Sequence, residues 1–198
     1  MLYAIRIGVF LLSLICLQAI GAEATYGHKK LSNSTSTGML HHGRLDLENM
    51  QVTGGTRING TLNVDKSTLK DISVNGRGNI ENSTILGNIR TNGMLNLDKV
   101  KVSGFVEVSG YIQTDKSKID GELIIASDKI EIKDSTILRI RIRPTLNKPD
   151  SPEDKQVLIL KNTKVLGSVI FENGNGELIQ EKSTILGSIE GIQSQKKQ

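Results

Sequence analysis

Short glycine-led segments return along this chain at a nearly fixed interval, and a repeat of that length limits the fold before any single residue is considered. Gly43-Arg-Leu-Asp-Leu-Glu, Gly60-Thr-Leu-Asn-Val-Asp, Gly93-Met-Leu-Asn-Leu-Asp and Gly110-Tyr-Ile-Gln-Thr-Asp align without gaps. The glycines step by 17 from 43 to 60 and again from 93 to 110, with Gly76 or Gly78 between. A second landmark, a Ser/Thr slot, recurs at Ser67, Ser83, Ser117, Ser135 and Ser183, with Val100 and Thr163 in the same position of other copies.

Within a copy, apolar residues alternate in short bursts: Leu95 and Leu97, then Val100 and Val102, then Val106 and Val108. Period two over three to five residues marks half-buried strands, and the bursts are too short and glycine-rich for amphipathic helices. Three short strands per repeat of about 17 residues describe one triangular coil of a parallel β-solenoid. A coil cannot bury its apolar edge alone, so coils stack at ~4.8 Å and their Leu, Ile and Val side chains form internal columns. Seven or eight coils are expected between residues 43 and 192. Asn59-Gly60, Asn75-Gly76 and Asn92-Gly93, followed by Ser109-Gly110, fall at equivalent corners, where left-handed backbone angles are needed.

The flanks are of another character. Arg6 precedes an apolar stretch from Ile7 to Ile20, and Gly21-Ala22-Glu23-Ala24 offers small residues in the pattern a signal peptidase reads. Residues 1–24 are therefore expected to be a signal peptide, cleaved after Ala24. The chain would be exported to periplasm, cell envelope or extracellular space, meeting membrane only through that segment. Its single cysteine, Cys16, lies there, so the mature part holds no disulfide, thiolate metal site or cysteine nucleophile. Residues 25–42 are expected as a polar lead-in or N-terminal cap, and 193–198 as a polar tail. All three prolines fall in a loop over 143–155, an excursion that cannot be strand because proline donates no ladder hydrogen bond.

Candidate chemistry is sparse. Lys and Arg number 25 against 21 acids, well interleaved, and aromatic residues make up 3%, which argues against a dedicated nucleic-acid binder. His28, His41 and His42 all lie in the lead-in and are expected to be solvent-exposed. With no histidine in the repeats, no Ser-His-Asp triad can be assembled there. No catalytic, cofactor-binding or metal-binding residues are assigned. The candidate interaction surface is an ordered set of charges: Asp65, Asp98 and Asp115, each followed by Lys66, Lys99 or Lys116, and the run Arg139, Arg141, Arg143. Such columns are read as a self-neutralising edge, with ligand binding as the alternative. A polysaccharide lyase or glycosidase would need clustered acids beside a base, for which Asp150, Glu153 and Asp154 near the arginines are the available set.

The run from Gly93 to Gly110, with paired apolar positions and corner glycines, resembles the bactofilin, or polymer-forming cytoskeletal, family. The resemblance covers roughly residues 43–191. It implies a right-handed β-helix that stacks end to end into nucleotide-independent filaments. The export signal, the proline-rich loop and the irregular last coils depart from that family. The expected function is an exported, non-enzymatic structural scaffold, self-associating end to end, with a glycan- or surface-binding module as the second reading.

Overall fold

The computed structural model describes residues 24–145 and 155–197. The expected signal peptide through Glu23 and the proline loop from 146 to 154, with Pro149, Asp150, Pro152, Glu153 and Asp154, lie outside the described residues.

Nineteen strands form one continuous parallel sheet that winds into a β-solenoid of about ten turns, each about 17 residues after the last, with no helix among the described residues. An interior coil turns three pairs of positions inward. In one coil these are Ser83 and Ile85, Ile89 and Thr91, and Leu95 and Leu97; in the next, Val100 and Val102, Val106 and Val108, and Ile112 and Thr114. Parallel register stacks like on like, as in the column Leu45, Leu62, Gly78, Leu95 and Ile112. Most of these apolar residues are under 4% exposed, and they form one uninterrupted core. A buried Leu, Ile or Val contributes roughly 1.5–3 kcal/mol.

Three kinds of corner separate the three faces. At the first, Gly43, Gly60, Gly76, Gly93 and Gly110 lie in mutual register with φ between 124° and 140°. A Cβ on any of these five would lie 2.1–2.2 Å from the carbonyl oxygen of the corresponding glycine one coil earlier. Gly76 is thus the corner glycine of its coil, while Gly78 sits inside the leucine column.

The second corner uses left-handed residues that are not glycine: Asn33, Asn49, Lys66, Asn82, Lys99, Lys116, Asp134, Asn162 and Lys182, with φ between 46° and 54°. Asn and Asp tolerate this conformation better than most residues. Lysine does not share that preference, so Lys66, Lys99 and Lys116 are held there by the stack. The following residue is the Ser/Thr slot, and it points inward. Ser67 Oγ donates to Asp65 O at 2.8 Å and accepts the Met50 amide at 2.9 Å; Ser117 Oγ donates to Asp115 O at 2.9 Å and accepts the Val100 amide at 3.1 Å. Ser83, Ser135, Thr163 and Ser183 likewise accept an amide from the preceding coil. The slot is therefore a buried hydroxyl ladder that satisfies amides which the left-handed turn has rotated out of the sheet. Ser67→Ala is expected to strand the Met50 amide and destabilise by about 1–3 kcal/mol, read by urea unfolding. Replacing exposed Ser73 by alanine should change little.

The third corner carries Gly87, Gly104 and Gly121, with the Gly104 amide donating to Gly87 O at 3.0 Å. The proline loop leaves from the first corner, just where the glycine column has ended. After Gly110 the equivalent passages are Ser127-Asp128, then the excursion after Arg143, then Asn173–Gly176. Gln156, 2% exposed, closes the foot of the loop by donating from Nε2 to Ser127 O at 3.1 Å and Arg143 O at 2.7 Å.

Both flanks differ from expectation. Residues 25–42, expected as a polar lead-in or N-terminal cap, belong to the stack: Ala24–Ser32 pairs in parallel with Met39–Glu48 and makes the first coil. The tail also joins the stack, since Ile192–Lys197 pairs with Gly176–Glu181. Polar side chains on these segments hid a backbone register that the neighbouring coil imposes.

Candidate functional site

Polar side chains point outward in ladders along the rod. On one edge Glu48, Asp65, Glu81, Asp98 and Asp115 stand in register, five carboxylates at successive coils. Sequence reading found only the three followed by lysine; Glu48 and Glu81 are followed by Asn49 and Asn82. The signal that identifies them is their position immediately before a left-handed corner residue. Lys66, Lys99 and Lys116 place Nζ 3.6, 3.8 and 3.8 Å from Asp65, Asp98 and Asp115. The lysines are more than half exposed, so each pair contributes at most ~1 kcal/mol. Asn82 donates to Asp65 at 2.8 Å, and that bond, followed by burial acting in the opposite sense and by the Lys66 charge, holds the Asp65 carboxyl below its usual value.

Beside this edge runs an amide ladder. Asn96 Nδ2 donates to Asn79 at 2.9 Å, Asn79 donates to Asn63 at 2.8 Å, and Asn63 donates to Asp46. Asp46 also receives His28 Nε2 at 2.7 Å and Arg44 Nε at 3.0 Å. Burial raises the Asp46 carboxyl, but the hydrogen bonds from Asn63, His28 and Arg44 and the Arg44 charge together outweigh it and hold the group at about 2, against 3.8 ordinarily. A depressed carboxyl contributes stability above its unfolded value, and that contribution is lost as pH falls from 3.8 through about 2. Asp46→Asn is therefore expected to flatten the acid limb of a stability-versus-pH curve over that window, with little change in its slope near neutrality.

Arg139, Arg141 and Arg143 alternate with inward Ile140 and Ile142, so they share one outward face. They do not form an unpaired cationic stripe. Arg141 Nε lies 3.0 Å from Glu122, and its Nη1 is 3.5 Å from Glu172; Arg143 reaches Glu107 at 2.8 Å. Arg139 is exposed, in register with Glu122. The Asp–Lys columns and the arginine face are not brought together: they occupy different faces of the solenoid.

A shallow groove runs along the arginine face nearer the N-terminal end. It is lined by Arg57, Asn59, Ser73, Asn75, Arg90 and Asn92, with Glu107 beyond. Asn75 donates to Asn59 at 3.3 Å, and Arg90 lies over the Phe105 ring at 4.6 Å. At the head of the Asn59–Asn75–Asn92 column, His42 stacks on Tyr26 with ring centres 5.1 Å apart.

One of the three histidines is not solvent-exposed as the sequence led us to expect. His28 and His42 lie on the surface, but His41 is fully buried. Its Nε2 faces two carbonyls, Gly27 O at 2.9 Å and Arg44 O at 3.0 Å, so Nε2 carries the proton and Nδ1 accepts from the Thr25 hydroxyl at 2.8 Å. Two adjacent histidines on a strand face opposite sides of the sheet, and parallel pairing turned His41 inward. Among the described residues no group of three His, Cys, Asp or Glu is placed to hold a metal ion.

Comparison of the chain with protein-family models, with curated proteins and with solved structures finds no match.

Proposed function

We propose that this chain is a non-enzymatic structural scaffold, a rigid rod exported to the cell envelope or beyond. The observation that carries this reading is the way its polar surface is spent on the rod itself. The Asn82–Asp65 bond, the Asp46–Asn96 amide ladder and the Arg–Glu pairs link one coil to another. Above a continuous apolar core, such ladders stiffen the stack along its axis. The pattern-level resemblance to polymer-forming β-helices supports the same class of role, and the apolar Ile7–Ile20 stretch with its small-residue site supports export. Arg141, one of the basic residues a lyase site would draw on, is engaged by two glutamates. Two measurements test the proposal: the N-terminal residue of the protein recovered from the envelope or medium, expected to be Thr25, and product release from polysaccharides, expected to be nil. A chain retained in the cytoplasm overturns the location, and released sugar overturns the role.

The second reading, a glycan-binding module, is favoured by the amide column of Asn59, Asn75 and Asn92, which begins at the Tyr26–His42 stack. Outward amides at each coil offer donor and acceptor at the ~4.8 Å strand spacing, and an exposed aromatic ring supplies a stacking platform. Saturable binding of a cell-wall glycan that disappears in Asn75→Ala/Asn92→Ala would establish it; unchanged binding would move the site elsewhere.

A further inference from the structure

The two ends of the rod break the rule that governs its interior. Through the middle, the column containing Leu45 is apolar from coil to coil, and so is the one containing Leu47 as far as Leu97. In the first coil the residue in register with Leu45 is Lys29, and the residue in register with His41 is Thr25. In the last described coil Gln195 lies in register with Leu178, and Lys197 with buried Gln180, both outer residues being exposed. Gln195 Nε2 is bonded to Gln180 Oε1 at 2.8 Å. Lys29 is half-buried between exposed His28 and Lys30, as an inward-facing side chain on an end coil would be. Among the described residues, each of these two coils has a ladder partner on one side only.

We propose that Lys29 with Thr25 at one end, and Lys197 with Gln195 at the other, are polar caps that keep a second copy of this chain from stacking onto the rod. An unpaired strand edge is a template for another chain, and repeat proteins blunt it with inward-pointing charge and polar terminal coils. At the first coil the Lys29 stem covers Leu45 beneath it while its ammonium stays in water; at the other end exposed Lys197 stands over the polar Gln180. Head-to-tail continuation of the same register would seal Gln195 against Lys29 and Lys197 against Leu31 inside a dry column. Pairing like ends brings Lys29 toward Lys29, or Lys197 toward Lys197. In each arrangement an ammonium is buried without a carboxylate partner, which is strongly disfavoured. The inference rests on the scaffold reading, in taking the ends of the rod as the surfaces that matter, and on cleavage after Ala24, and it makes that scaffold a discrete rod instead of a filament.

The test is sedimentation and light scattering of the purified chain from Thr25 to Gln198 over a wide concentration range, with electron microscopy. The unsubstituted protein is expected to keep the mass of one chain throughout. Lys29→Leu or Lys197→Leu is expected to raise the mass roughly twofold at high concentration by pairing like ends, and the double variant to form longer end-on chains. The outward neighbour Lys30→Leu should stay monomeric. Circular dichroism confirms that each variant is folded, and because the two ends are tested separately, loss of one variant leaves the other as a test. End-on filaments of the unsubstituted protein would overturn the caps, as would monomeric folded variants at both ends, or equal association of Lys30→Leu. Filaments would leave the structural reading standing, whereas sugar release from a polysaccharide would sink that reading and leave the caps untouched.

Discussion

Gly76→Ala is expected to be among the most damaging additions of a single methyl group to this protein, lowering its stability by about 3 kcal/mol or more. Two effects act together. At φ 133° the backbone lies where only glycine is comfortable, and the added Cβ would lie 2.1 Å from Gly60 O, a backbone atom fixed by the sheet. Relieving the clash means moving one coil away from the next, which weakens the ladder on both sides. For a domain of this size the midpoint of thermal unfolding should fall by roughly 6–12 °C or more. Gly55→Ala is the matched control, because Gly55 has no positive φ and a Cβ there meets nothing within 4 Å. Circular dichroism during heating compares the two. Similar midpoints for the variants would mean the glycine column is not what sets the corner.

Leu95→Ala should cost about 4–5 kcal/mol, near the top of the range for leucine truncation. Leu95 is fully buried, and the column position before it is Gly78, which contributes no side chain. Leu95 Cδ1 reaches to 3.2 Å from where a Gly78 Cβ would stand, so one leucine fills space belonging to two coils. Its removal leaves a void that the hydrogen-bonded coils above and below cannot close by collapse. Adding Gly78→Val to Leu95→Ala is expected to restore part of the loss by refilling the same space. Because coils interact chiefly with their neighbours, hydrogen exchange should show the weakening concentrated near residues 78–95. A loss no greater than that for a buried leucine with a full column, such as Leu123→Ala, would refute the shared-space argument.

The solenoid was legible because period and alternation are properties of the chain alone. Glycines stepping by 17 and apolar pairs two residues apart admit few other solutions. The Ser/Thr slot was equally visible, yet its meaning was not. Nothing in Ser67 or Ser117 announces that its hydroxyl accepts an amide from the previous coil, since that amide belongs to Met50 or Val100, 17 positions away. The candidate surface was half legible. Asp65, Asp98 and Asp115 were found through their lysines, whereas Glu48 and Glu81 became members of the column only through register. Arg141 and Arg143 read as an interaction stripe because their partners, Glu122, Glu172 and Glu107, come from other coils.

Residues 25–42 and 193–198 mark the same boundary from the other side. Their polar composition was read as lead-in and tail, because an end coil has only one neighbour to cover and so carries a weaker apolar signal. By itself the sequence determined the repeat length, the inward alternation and the need for glycine at recurring corners, all set by local backbone sterics and hydrophobic period. Tertiary structure decided which residues face one another across a coil, that His41 is buried, and that Lys29 stands in register with Leu45 and Lys197 with Gln180. Those are matters of register between distant segments, and register comes into being only when the coils stack.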